Sequence, residues 1–520
     1  MINKNRLTFI YFCITIAFLI LILRLFFLVA FGNKIAVGNF YDNHKLRKRG
    51  DIIDCNNIIL ATDLRAKALY VNSALIRDAK LVAHKLTASL PNSSYNEILR
   101  KISNKENLNW ILIARNITPN QQKEIQNLKI AGLIFDNDLV RVYPQKSILS
   151  HLVGYVDVDR NGLAGIEKEY NDRLKFGDNI KLAMDVRVQD ILEDQLIIGI
   201  NKYNAAAAAG IVMNVNNGEI IALSSLPNFG PNHQEIAKND QLFNRATQGV
   251  YEPGSIFKIF TDATAFENNL IKISDSYNVA EPIKHGRFTI SDYHPIKDQM
   301  SVEEIFIYSS NIGTVKIAQK IGIDRQKNFL KKINLLDSLE TDFPGLAKPI
   351  YPRQWKEINL FTISYGHGIA VTPLHIATTV AAIANGGILY QPSFIKLSDK
   401  FYGRRVIKEQ TSEIMKKLLR KVTTDGTGRN ADIEGYEVGG KTGTSNYAEE
   451  GRYNEHKTMA SFAAIFPISN PQYLVYVMFD RPNSDFNTGG MVAAPVAGKI
   501  VKDIAPILGV MPIAKINLDP

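Results

Sequence analysis

The sequence predicts an α+β fold for its larger, C-terminal part, an antiparallel sheet covered by helices, and three observations predict it. Two strand-like runs, AAAAAGIVMNV and EIIALSSL, flank Asn216, Asn217 and Gly218, a turn sequence that joins antiparallel strands. Near the end, TMASFAAIFPI and QYLVYVMFDR are separated by Ser469, Asn470 and Pro471, giving a second hairpin beside the strand-like EVGGKTGTS. Helical segments such as SVEEIFIYSSNIGTVKIAQKIG and PLHIATTVAAIANGG lie between the two sets. Strands at both ends with helices inserted between them fit α+β rather than a doubly wound α/β sheet.

Taken in chain order, the first feature is LTFIYFCITIAFLILILRLFFLVAF, Leu7 to Phe31, an apolar stretch broken only by Arg24. Its length suits a bilayer-spanning helix, with Arg24 near enough to one end to snorkel. Lys4 and Arg6 precede it, so the positive-inside rule keeps the N-terminus in the cytoplasm and sends the rest across. A cleaved signal peptide would carry a shorter apolar region and a small-residue cleavage site, so an uncleaved anchor over residues 1–33 is expected.

Residues 34–175 form a mixed region with short strand-like runs (DIIDCNNIIL) and charged helical stretches (YNEILRKISNKEN), ending in HLVGYVDVDRNGLAGIEKEY. It holds no evident catalytic set and reads as a pedestal. The catalytic domain is expected over 176–520. At 520 residues and 46% hydrophobic, the chain can bury two or more cores. The net charge of +10 arises from Lys and Arg mixed along the chain with 51 acidic residues, which argues against nucleic acid as a partner. Cys13 and Cys55 cannot plausibly meet, so no disulfide framework is expected. No Cys/His cluster implies a metal, and no cofactor is called for.

Two stretches carry the chemistry. GYEVGGKT, Gly435 to Thr442, matches the phosphate-binding pattern G-x-x-x-x-G-K-[ST], which requires a helix directly after the lysine. The next residues, Gly443, Thr444, Ser445 and Asn446, make a poor first helical turn, and the nucleotide reading is set aside. In YEPGSIFKIF, Pro253 and Gly254 break the chain and a helix begins with Ser255 in its first turn. Lys258, three residues on, shares a face with Ser255. A serine needs a neighbouring base to become a nucleophile, and a lysine with a depressed pKa can serve.

S-x-x-K recurs at Ser393 to Lys396 in a strand-like run, and S-x-N occurs at Ser94, Ser276 and Ser309. What singles out Ser255 is company: Ser309 and Asn311 in YSSNIG, then Lys441, Thr442 and Gly443 as K-T-G on a C-terminal strand.

Together with RGDIIDCNNIILA, HLVGYVDVDRNGLAGIEKEY, NRATQGVYEPGSIFK, VTPLHIATTVAAIANGG, TTDGTGRNA, GGKTGTSN and GGMVAAPV, these motifs make the chain resemble the class B penicillin-binding proteins, membrane-anchored peptidoglycan D,D-transpeptidases. GGMVAAPV looks more like the septal, cell-division type than the elongation type. The resemblance implies a serine β-lactamase-like catalytic domain on a pedestal or dimerisation-type domain. It implies that Ser255 attacks a D-alanyl-D-alanine carbonyl, Lys258 takes its proton, and Ser309 relays a proton to the leaving amine. Asn311 would hold the substrate amide, Lys441 and Thr442 would meet its carboxylate, and Gly443 would allow close approach. The backbone N–H groups of Ser255 and Thr444 would form the oxyanion hole. The implied partners are peptidoglycan stem peptides, β-lactam antibiotics, a membrane-embedded glycan polymerase and division proteins, with the catalytic domain in the periplasm.

Cys55 and Asn57 stand where the family usually has Arg and Gly, and Ile256 and His375 where Thr and Gln are common. A β-lactamase would share the serine and both lysines but needs a base for water; EINL, from Glu357, is the nearest imitation, at the wrong spacing. A β-lactam-binding sensor would keep the site without turnover.

Overall fold

The computed structural model describes residues 12, 14–26, 47–91, 93–103, 110–286, 288–293, 297–398, 402–449, 452–483 and 487–513. Of the Leu7 to Phe31 stretch, residues 14–26 are helical with exposed apolar side chains; among the described residues no helix is long and apolar enough to cross a membrane. Residues 7–11, 13 and 27–31 of that stretch, Cys13 among them, lie outside the described residues.

Two compact units emerge, and they do not follow chain order: residues 65–140 belong with the N-terminal residues, while 49–64 join 141–520. In the smaller unit, helices Ala79–Ser89, Tyr95–Ser103 and Pro119–Asn127 share a core with strand residues, among them Leu69, Val71, Ile113 and Ile117. Each helix starts on a polar cap: Asp78 accepts from the Leu81 N–H, Ser94 from the Glu97 N–H and Thr118 from the Gln121 N–H.

The larger unit holds a five-stranded sheet in the order Gly439–Glu449, Arg452–Phe466, Tyr473–Asp480, Ala207–Asn214, Ile220–Leu226, with every pair antiparallel. Both expected hairpins are present. At the first, Gly218 adopts φ +84° and its N–H donates to the Asn214 carbonyl.

Helices cover both faces, which is why the central strands read as unbroken apolar runs rather than alternating ones. Ala208, Val212, Phe462, Val475 and Phe479 face helices Val186–Tyr203 and Ala493–Ile504. Ala209, Ile211, Ala463, Leu474 and Met478 face the other core, with Phe257, Phe260, the wholly buried helix Pro373–Ala384 and helix Glu409–Thr424. The parity of the strand residues sorts them between the two cores, as period two demands.

Within the same unit, buried charges join distant segments. Arg49 Nε donates to Glu167 Oε2 (2.7 Å) and Arg141 Nε to Glu167 Oε1 (2.6 Å), while Asp63 takes Arg141 (3.3 Å) and Arg160 (2.7 Å). Glu167 is inaccessible to solvent, so removing it takes from two buried guanidinium groups the carboxylate they share, leaving Arg141 with Asp63 alone and Arg49 with none of its ion pairs given above. Glu167→Ala is expected to cost about 3–5 kcal/mol in a chemical-denaturation measurement; a change under about 1 kcal/mol would mean the arginines find other partners.

At the RGDIIDCNN turn, Asn57 takes φ +66°, a left-handed conformation that asparagine tolerates, so the turn forms without the family's usual glycine. Burial and the nearby Asp185 and Asp54 raise the Cys55 thiol to about 11, which keeps it protonated at neutral pH.

Candidate active site

Ser255 lies in a 3-10 turn, Gly254–Phe257, that runs directly into the α-helix Lys258–Glu267. The sequence places Ser255 in the first turn of the helix; the structure tightens that turn. A 3-10 turn has three residues per turn and eclipses positions i and i+3, which puts the Ser255 and Lys258 side chains on one line. Gly254 makes the turn possible: its φ is +55°, and a Cβ there would sit 2.2 Å from the Thr444 carbonyl oxygen. The backbone of Thr444 therefore lies against the residue before the nucleophile.

That backbone belongs to the sheet's edge strand, Gly439–Glu449, which among the described residues pairs within the sheet only with Arg452–Phe466. Lys441 follows Gly440 with no helix after it, so the phosphate-loop imitation in GYEVGGKT is a turn at Gly435 that leads into a strand from Gly439. Gly443 allows the strand to nest on the serine turn, since a Cβ would meet Ser461 Oγ at 2.4 Å and the Pro253 carbonyl at 2.7 Å.

Ser309 closes the constellation. It precedes helix Asn311–Ile321 at φ +65°, a conformation L side chains seldom adopt and one kept only where surroundings enforce it. Lys258 Nζ donates to the Ser309 carbonyl (2.5 Å), to Ser309 Oγ (3.2 Å) and to Asn311 Oδ1 (2.8 Å). Lys441 Nζ donates to the same Ser309 Oγ at 3.0 Å. With two amines filling its lone pairs, the Ser309 hydroxyl has its own proton free to donate outward. Asn311 Nδ2 donates to the Ser291 carbonyl (3.1 Å), which fixes the amide and leaves its second N–H available.

Burial divides the site. Ser255, Ser309, Asn311 and Thr444 are partly exposed, whereas Lys258 and Lys441 are fully buried. Desolvation disfavours the charged amine and lowers Lys258 to about 7, against the pull of Asp292 and Asp262. Burial, then the charge of Lys258, lowers Lys441 well below an ordinary lysine. At neutral pH the pair thus carries less than two positive charges, and Lys258 can accept a proton.

Residues that the sequence reading did not single out complete the site. Asp292 caps the Ser309 segment: Oδ2 accepts from Ser310 Oγ (2.6 Å), and Oδ1 from the N–H groups of Asn311 and Ile312. Thr427, from TTDGTGRNA, pairs its hydroxyl with that of Thr442 at 2.9 Å, and the Gly489 N–H, from the segment ending GGMVAAPV, donates to Thr444 Oγ1 at 3.0 Å. Asp262 lies one turn beyond Lys258 on the same helix, and the spacing S-x-x-K-x-x-x-D was the signal for it.

The repeated motifs lie elsewhere and have structural partners. Ser393 Oγ donates to Asp342 Oδ2 (2.7 Å), and Lys396 pairs with Glu219 (2.8 Å). Ser94 starts a helix and Ser276 begins a short strand. Glu357 is mostly exposed, 3.8 Å from His285. His375 sits between Thr372 and the Asp337 carbonyl, and His367 lies near the site; burial above all lowers each to about 4 and keeps it neutral. Ile256 is wholly buried.

Known proteins can be compared with this geometry. Residues 208–502 match the penicillin-binding protein transpeptidase domain and residues 45–182 the penicillin-binding protein dimerisation domain. The chain is 35% identical, over 89% of its length and 82% of the relative's, to a probable peptidoglycan D,D-transpeptidase FtsI of Caulobacter vibrioides. It is 26% identical, over 89% of its length and 84% of the relative's, to the peptidoglycan D,D-transpeptidase FtsI of Escherichia coli. Its fold is similar to crystalline penicillin-binding protein 3 of Mycobacterium tuberculosis, solved with aztreonam, with a TM-score of 0.72, 24% identity and coverage of 90% of this chain and 97% of that one. With a serine turn, an S-x-N loop and a K-T-G edge strand converging on two buried lysines, this chain belongs to the penicillin-binding protein transpeptidase family.

Proposed function

We propose that the protein is a peptidoglycan D,D-transpeptidase that cross-links stem peptides through a serine acyl-enzyme during septal wall synthesis, and that β-lactams acylate it. The observation that carries the reading is the Ser309 hydroxyl held between Lys258 and Lys441 beside the Ser255 turn.

The geometry supports a two-step acyl transfer. Ser255 Oγ bonds to the penultimate D-alanine carbonyl carbon as its proton passes to Lys258, whose pKa near 7 suits a general base. The tetrahedral oxyanion is received by the backbone N–H groups of Ser255 and Thr444. The C–N bond then breaks, and the leaving amine takes the Ser309 proton, which a lysine replaces. The amine of a second stem peptide attacks the ester, returns the proton along the same route and frees Ser255. Lys441 and Thr442 meet the substrate carboxylate, while Asn311 orients its amide.

The apolar Leu7 to Phe31 stretch is read as a single anchor in the bacterial inner membrane, with the catalytic domain in the periplasm. The partners are then a membrane-embedded glycan polymerase and other division proteins. A fluorescent penicillin applied to membranes should leave a persistent label on the Ser255 peptide of the wild type and none on Ser255→Ala. Label that disappears within seconds would instead make the enzyme a hydrolase, and Ser255→Ala protein that still supports growth would make it a sensor.

A further inference from the structure

Asp262 has no place in the mechanism above, yet it lies at the centre of the charges that drive it. It follows Lys258 by four residues on helix Lys258–Glu267 and Ser255 by seven, so all three project from one side. Its residue is 1% exposed, and among the described residues neither carboxylate oxygen has a hydrogen-bond partner. A buried carboxylate without partners is costly and needs an electrostatic reason to persist. Two positive groups act on it, Lys258 from its own helix and Lys441 from the edge strand. Lys258 in turn is acted on by Asp292, from the segment upstream of Ser309, and by Asp262, and its charge acts on Lys441 and on His367.

We propose that Asp262 is a positioning residue for this transpeptidase: its carboxyl group completes a buried Lys258–Asp262–Lys441 cluster and sets how many protons the two amines hold when Ser255 reacts. Ionised, Asp262 favours retention of a proton on the amines; neutral, it removes that bias. Its effect is on the charge of the lysines and on no substrate atom, so it is not itself a catalytic residue. Burial supports the assignment by raising Asp262 to about 7, which brings it into the range where Lys258 titrates. Such groups exchange protons as a set rather than singly.

The inference rests on the transpeptidase reading, and the test separates the two. Full-length wild type, Asp262→Asn and Asp262→Leu are labelled with a fluorescent penicillin from pH 5 to 9, and the second-order acylation constant is plotted against pH. Without the carboxylate, Lys258 loses an opposite charge and deprotonates more readily, so the acidic limb of both variants should move about one pH unit to lower pH. Limbs that coincide with that of a labelled wild type would overturn the inference and leave the function standing; a folded wild type that takes no label would overturn both. Thermal unfolding gives a readout independent of activity. The native pKa of Asp262 is raised, so between about pH 4 and 7 the unfolded chain releases a proton that the native protein keeps, and wild-type stability falls as pH rises. The stability advantage of Asp262→Asn over wild type should therefore grow across that window; a constant difference would overturn the placement of Asp262 as a titrating member of the cluster.

Discussion

Lys258→Met is expected to slow acylation of Ser255 by roughly 10²- to 10⁴-fold, the usual share of a positioned base, and to abolish the rise of the rate with pH. In the wild type the neutral amine is the active form. Because the Lys258 pKa is lowered to about 7, the second-order rate constant for penicillin acylation should climb through about pH 7 and then level off. Methionine fills a similar unbranched volume, and burying it carries no charge penalty, so the melting temperature should change little. What it cannot supply is the donor that reaches the Ser309 carbonyl, Ser309 Oγ and Asn311 Oδ1. The check is the labelling constant against pH alongside thermal unfolding. A variant that retains both the rate and its pH profile would show that another group deprotonates Ser255.

Ser309→Ala should give the second large loss, and one that depends on the leaving group. Its hydroxyl accepts from both lysines and is the group placed to hand a proton to the departing amine. An amide nitrogen must be protonated to leave, whereas a thiolate leaves without help. Turnover of a D-alanyl-D-alanine peptide should therefore fall by about 10²- to 10³-fold, while a thioester analogue of the same acyl group should lose much less. Equal losses on the two substrates would assign Ser309 to holding Lys258 and Lys441 in place rather than to proton transfer. Alanine keeps the Cβ of serine at this φ of +65°, so the substitution takes away the hydroxyl alone.

Much of the site could be read from local pattern. Ser255 with Lys258, Ser309 with Asn311, and Lys441 with Thr442 each form a short motif, and helix or strand geometry alone fixes how the members of each relate. Longer-range partners escape such a reading. Asp292 reaches the Ser309 loop from nearly 20 residues upstream, and Thr427 meets Thr442 across 15 residues. Neither pair lies within a single helix or strand, so no local period marks the partnership. Asp262 was within reach, since it shares a helix face with Lys258, but an acid at that position reads equally well as a surface residue until its burial is known.

The sequence by itself determined the α+β class, because turn residues and apolar runs act over a few neighbours and strands at both ends of the domain leave few ways to build a sheet. It also determined which serine had the right company. Only the tertiary structure decided that the K-T-G strand is pressed on the serine turn, since that depends on what packs against Gly443 and Gly254. Only it decided that two lysines more than 180 residues apart share one hydroxyl in a buried site. The physical reason is that the pKa of an amine answers to solvent exclusion and to neighbouring charges, and both are set by chain segments that meet only when the protein has folded.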